Sequence, residues 1–198
     1  GNSAISAPIF FDALRSFSTS VSRAKRRLNF TVIQSRLKFV ICPSWPNGTH
    51  ICEVEIDPET GVTEIVRYSA VEELGRVLNP LIVGGQIHGG VVQGVGQALG
   101  EVIVHDPSSG QMLTASFMDY QMPRAAEYPD FRLATREVPT AVNPLGAKGV
   151  GEAGTVGALG AAMNAINDAL AQVGAPQIEA PATPEKLWRA ISAAGVSA

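Results

Sequence analysis

The strongest constraint on this chain is a stretch of 24 residues, 77–100, with no formal charge and many glycines. A hydropathy window passes over it as if it were a membrane span. Gln86, His88, Gln93, Gln97 and the glycines argue instead for a buried helix of a soluble domain, and no membrane span is expected. Asn79 and Pro80 are suited to be its N-cap and first helical residue, and the pattern runs to about Glu101. Each interior glycine costs a helix about 1 kcal/mol, so their number needs a reason. Two are open. Another helix packs closely here, or backbone amides must approach a ligand. Gln86, Gln93, Gln97 and Gly90 recur at three- or four-residue steps on one face. Buried amides need partners, and either a heteroatom-rich cofactor or neighbouring backbone can supply them. His88 has no second metal-ligand candidate nearby and reads as a hydrogen-bonded histidine, and no metal-ligating residues are assigned.

Hairpin signals flank this helix. ICEVEID alternates, PETG is a turn, and VTEIVRYSAV alternates again. VIVHDPSSGQMLTA reads as a second hairpin turning at DPSSG. FMDYQMPRAAEYPDF is a proline-punctuated connection, and RLATREVPT reads as a strand. An Ala-rich helix is expected from about Ala153 to Val173, stopped by Gly174. A short one follows, capped by Thr183 and Pro184, with Leu187, Trp188 and Ile191 as its apolar face. Hairpins followed by separate Gly/Ala-rich helices make the fold class α+β.

The first residues differ in composition. Residues 1–38 hold seven of the 15 basic residues and only Asp12 of the 18 acidic ones, which leaves 8 basic and 17 acidic residues beyond them. The basic, Ser/Arg-rich stretch resembles a transit peptide more than a core, and residues 1–45 are set apart from a domain at 46–198. The acidic remainder offers no nucleic-acid footprint. Cys42 and Cys52 are the only cysteines, ten positions apart. They suit neither a disulfide framework nor a zinc site, and a reducing cytoplasm is the expected compartment.

NPLGAKGVGEAGTVGA, residues 143–158, is the stretch richest in chemistry. Gly149, Gly151 and Gly154 satisfy GxGxxG, but Pro144, Gly146 and Lys148 stand where a parallel strand should lead in. A phosphate loop fails because Lys148 precedes the helix-opening glycines. What remains is a loop entering a helix, with a lysine, a carboxylate and free amides suited to an anionic or oxygen-rich ligand. Glu152 has two readings, a charge favoured by the helix dipole or a general base in a dry site.

CEVEIDPETG, GRVLNPLIVGGQIHGGVVQGVGQALGE, DYQMP and NPLGAKGVGEAG, in this order over residues 46–194, together resemble the large subunit of the molybdenum hydroxylases. That family includes xanthine dehydrogenase, aldehyde oxidase and aerobic carbon monoxide dehydrogenase. The resemblance implies the C-terminal molybdopterin-binding domain, with a molybdopterin-type molybdenum cofactor in its simple or dinucleotide form. It implies Glu152 as the catalytic base, and Gln86, Lys148, Gly149, Val150 and Gly151 as contacts to the pterin dithiolene. It implies hydroxylation of an aldehyde, N-heterocycle or similar small substrate with water-derived oxygen. The partners it implies are the earlier part of the large subunit and iron-sulfur and FAD groups on other domains or subunits, in an oligomeric enzyme. A truncated orphan domain without cofactor is the contrasting expectation.

Overall fold

The computed structural model describes the backbone of Asn29–Ile33 and residues 44–195. Four strands form one sheet in the order β1-β2-β3-β4, with β1 Asn29–Ile33, β2 Asn47–Ile56, β3 Thr63–Glu73 and β4 Arg132–Thr135. The described residues also form three α-helices, α1 Pro80–Leu99, α2 Ala153–Gln172 and α3 Pro184–Ala193, and a 3₁₀ turn at Ala125–Glu127. The architecture is α+β. α2 lies against β1 and β2, and α1 packs along α2.

β2 and β3 form the expected antiparallel hairpin around a turn closed by Gly61 at φ 71°. A register shift between Glu53 and Val54 places Val54 opposite Ile65 and Cys52 opposite Tyr68. Such a bulge lets Ile65 and Tyr68, three residues apart, both point into the core, where both are buried. β1 runs antiparallel to β2, from Asn29 opposite Cys52 to Ile33 opposite Gly48. It falls inside the basic segment at residues 1–45, so the sheet continues across the compositional break. The strand expected around RLATREVPT is β4, and it pairs parallel to β3.

The Asn79–Pro80 start of α1 is as expected, and Asn79 Oδ1 accepts from the amide of Ile82 at 3.2 Å. The helix is half-buried rather than buried. Ile87, Gly90, Val91, Gly94, Val95 and Ala98 face α2 and the sheet, while Gln86, Gln93 and Gln97 are exposed. The amide stripe therefore lies outside. Thr183 caps α3 through the amide of Lys186, but Trp188 is half-exposed and only Leu187, Ala190 and Ile191 are buried. Successive helical positions are about 100° apart, which turns Trp188 away from its neighbour Leu187.

The second expected hairpin does not form as strands. His105 and Met112 make an isolated bridge, with Asp106 accepting from Ser108 and Ser109 in the turn. Ile103 and Leu113 are exposed, and a two-stranded ribbon without a face to cover is marginal in water.

Candidate functional site

α1 and α2 approach each other through glycine. A methyl group at Gly90 would lie 2.9 Å from the amide nitrogen of Thr155, and one at Gly154 would lie 2.5 Å from the carbonyl oxygen of Ile87. Thr155 Oγ1 adds a hydrogen bond to the carbonyl of Gly90 at 3.0 Å. This close crossing brings the loop at residues 148–152 to the end of α1 that carries Gln86.

The loop is held from below. The amide of Lys148 donates to the carbonyl of Leu74 at 2.9 Å, and its ammonium is paired with Glu73. Glu73 also accepts from the amide of Gly75 at 2.7 Å and from Asn47 Nδ2 at 2.9 Å. The cation is thus committed to a largely buried structural pair. Val150 packs against the core. The upper side is open: Cβ atoms built at Gly149 and Gly151 would meet nothing within 4 Å, and the same holds for Gly84, Gly85 and Gly89 on α1. Among the described residues, none accepts from the amides of Gly149, Val150, Gly151 or Glu152.

Glu152 is the N-cap residue of α2, with φ -111° and ψ -1°, but its side chain makes no capping hydrogen bond. Its carboxylate is exposed and has no hydrogen-bond partner among the described residues. It borders a cavity of about 450 Å³ that is also lined by Trp45, His50, Glu72, Gly149 and Gly151.

Sequence reasoning missed the inner wall of this cavity. His50, Tyr68 and Glu72 are buried together on the α2-facing side of the sheet. His50 Nδ1 lies 2.6 Å from Tyr68 Oη, and its Nε2 lies 2.6 Å from Glu72 Oε1. Burial, and after it the charges of Cys52 and Glu72, pushes the Tyr68 phenol above its ordinary range, so it stays an O–H donor. The ring therefore bridges the phenol and the carboxylate, one hydrogen bond at each nitrogen. The signal in the sequence is faint: a histidine and a glutamate on alternating strands, at positions that face inward. His88 is exposed, hydrogen-bonded to the carbonyl of Gly84 at 2.7 Å and stacked on Phe131.

The fold matches one class of protein. A family model described as the molybdopterin cofactor-binding domain matches residues 25–129. The nicotine 6-hydroxylase large subunit of Paenarthrobacter nicotinovorans is 45% identical over 148 residues, 75% of this chain and 18% of that protein. The carbon monoxide dehydrogenase large chain of Afipia carboxidovorans is 38% identical over 146 residues, 74% of this chain and 18% of that one. Among solved structures, a Cu,Mo-CO dehydrogenase superposes with a TM-score of 0.72 at 38% identity, over 76% of this chain and 19% of that chain. Quinoline 2-oxidoreductase from Pseudomonas putida 86 does so with a TM-score of 0.71 at 41% identity, over 74% and 19%. The chain belongs to the molybdopterin cofactor-binding domain family of molybdenum hydroxylase large subunits. It spans less than a fifth of the length of these relatives.

Proposed function

We propose that the chain is the C-terminal, cofactor-binding part of a molybdenum hydroxylase large subunit and that Glu152 is its general base. The observation that carries this is the freedom of the Glu152 carboxylate. A glutamate kept at a helix start only as a cap would be expected to use its oxygens on the first amides, and this one does not. It stands at a cavity edge beside a loop of unpartnered amides.

Those amides are also the test of fit for the cofactor. Gly149 and Gly151, with Gly84, Gly85 and Gly89 across the crossing, leave flat backbone surface where side chains would otherwise stand. A heteroatom-rich pterin needs N–H donors and close approach, and the chain offers both. Gln86, Gly149, Val150 and Gly151 would hold it from this side, with Lys148 fixing the loop from beneath through Glu73. When bound, the group supplies the two-electron redox chemistry. The chain's own contribution is orientation and a proton acceptor at the Glu152 carboxylate.

The activity proposed is water-derived hydroxylation of an aldehyde, N-heterocycle or similar small substrate, in the cytoplasm, within an oligomeric enzyme. The rest of the large subunit would close the site. Iron-sulfur and FAD groups on partner domains or subunits would take the electrons, since two cysteines cannot ligate a cluster. The contrasting reading is a domain that keeps the fold and binds nothing.

Elemental analysis and mutagenesis separate these. The isolated chain is expected to carry little molybdenum, and a complete large subunit containing this region is expected to carry it in full. In that complete subunit, Glu152→Gln should lower turnover by about 10²- to 10⁴-fold with molybdenum retained. Turnover within a few-fold of the parent would return Glu152 to the role of a helix-end charge. A complete subunit that folds without molybdenum would favour the contrasting reading.

A further inference from the structure

The function proposed above makes no use of His50, Tyr68 and Glu72, yet the fold goes to some length to house them. A buried carboxylate and imidazole are costly unless both are hydrogen-bonded, and apolar side chains of similar volume commonly serve a core as well or better. Two glycines make room for them. A methyl at Gly48, opposite Glu72 in the β2–β3 register, would lie 2.2 Å from Glu72 Oε2. A methyl at Gly157 would lie 2.4 Å from Cδ2 of the His50 ring. α2 therefore rests on the imidazole at Gly157, which is about one and a half turns beyond Glu152. His50, Glu72 and Glu152 all line the same cavity.

We propose that His50 is a positioning residue for Glu152. Its ring seats the first turns of α2 at Gly157. By holding Glu72 in a hydrogen bond, it also leaves Glu152 as the carboxylate free to accept a proton in the cavity. Tyr68 completes the device, because its hydroxyl orients the ring from the far side. The inference rests on the reading of Glu152 as base, and its test separates the two.

Three variants probe it. His50→Leu keeps bulk beside Gly157 and removes both ring hydrogen bonds. His50→Gln keeps an N–H donor and an acceptor. Gly157→Ala keeps every polar group but pushes the ring off its seat. In the 198-residue chain, His50→Leu should lower hydrogen-exchange protection in the first turns of α2 by about tenfold relative to Ile166 and Leu170 in its later turns. In a complete large subunit, His50→Leu and Gly157→Ala should each lower kcat by about 10- to 100-fold, with KM and molybdenum content near those of the parent. His50→Gln should recover most of the loss.

The proposal is overturned if kcat stays within a few-fold of the parent in His50→Leu and Gly157→Ala while Glu152→Gln is inactive. In that case the base reading stands alone. It is also overturned if protection falls evenly along α2, or if kcat and molybdenum are lost together, because His50 would then be a general core residue. Should His50→Leu fail to fold, the kcat of Gly157→Ala and the recovery by His50→Gln decide. If Glu152→Gln is fully active, the base reading fails. The local exchange change at α2 would then belong to packing, and the proposal would fall with that reading.

Discussion

Lys148→Met tests whether this lysine holds the loop or the cofactor. The ammonium and Glu73 are paired with side chains 13% and 11% exposed, a setting in which solvent screens little. Methionine preserves most of the stem's packing and removes the charge. Stripping one partner from a buried pair costs about 3–5 kcal/mol when the other is left alone. Glu73 is not left alone, because the Gly75 amide at 2.7 Å and Asn47 Nδ2 at 2.9 Å still donate to it. The cost should therefore fall near or below the lower end of that range, about 2–3 kcal/mol. For a domain of this size each kcal/mol moves Tm by about 2–4 °C, so the midpoint should drop by about 5–10 °C. The assay is a thermal or urea melt of the 198-residue chain with its slope unchanged. Adding Glu73→Gln should recover part of the loss, since the stranded charge is gone. A midpoint within about 1 °C of the parent would refute the structural assignment. It would leave the ammonium available as a direct contact to the cofactor.

Two further outcomes follow from the buried and capped groups. Burial and then the charge of Glu53 push the Cys52 thiol up to about 12. In a Cys42→Ser background the native chain should be inert to a thiol reagent near pH 8 and react at once on denaturation. Rapid native labelling would contradict the burial. Asp106 is held down to about 2 from 3.8, first by the Ser108 hydroxyl and then by the Ser109 amide and hydroxyl. A depressed carboxylate contributes above its unfolded value and loses that contribution as pH falls through the folded one. The turn at residues 106–110 should therefore loosen between about pH 4 and pH 2. A carboxyl carbon titration at the ordinary aspartate value would show that the turn does not hold in solution.

Much of the fold is legible because it is written locally. The Asn79–Pro80 and Thr183–Pro184 starts depend on a side chain reaching an amide a few residues on, as both do here. The β2–β3 hairpin follows from alternation and a PETG turn. Glu152 and the loop glycines stand out by residue type, and the resemblance of several linked motifs singles them out further. What stays hidden depends on register and distance. His50 meets Glu72 across 22 positions and Lys148 meets Glu73 across 75, contacts that no window of sequence contains. The exposed side of α1 is hidden from the sequence for a related reason. The absence of charge suggests burial, while the packed side is decided by where α2 crosses.

The glycines of α1 and α2 pose one question in sequence, close packing or access to backbone, and the structure answers it position by position. Gly94 belongs to the first group: a methyl there would lie 2.7 Å from Cβ of Ala158 and 3.0 Å from the carbonyl oxygen of Thr155. Gly85 belongs to the second, with nothing within 4 Å. The two should therefore respond in opposite directions to added side chains. Gly94→Val must push the helices apart, at a cost of about 1–3 kcal/mol for overpacking, and the chain's midpoint should fall. Gly85→Ala enters open space on a helix and replaces a poor helix former, which should add about 0.5–1 kcal/mol and raise the midpoint. A domain built only for stability would have little use for Gly85. If its open face exists for a ligand, the same Gly85→Ala in a complete large subunit should lower molybdenum content even as it stabilises the isolated chain. Stabilisation with full molybdenum would show that this face is not approached by the cofactor. A fall in midpoint on Gly85→Ala would mean that the α1 surface is already covered in solution.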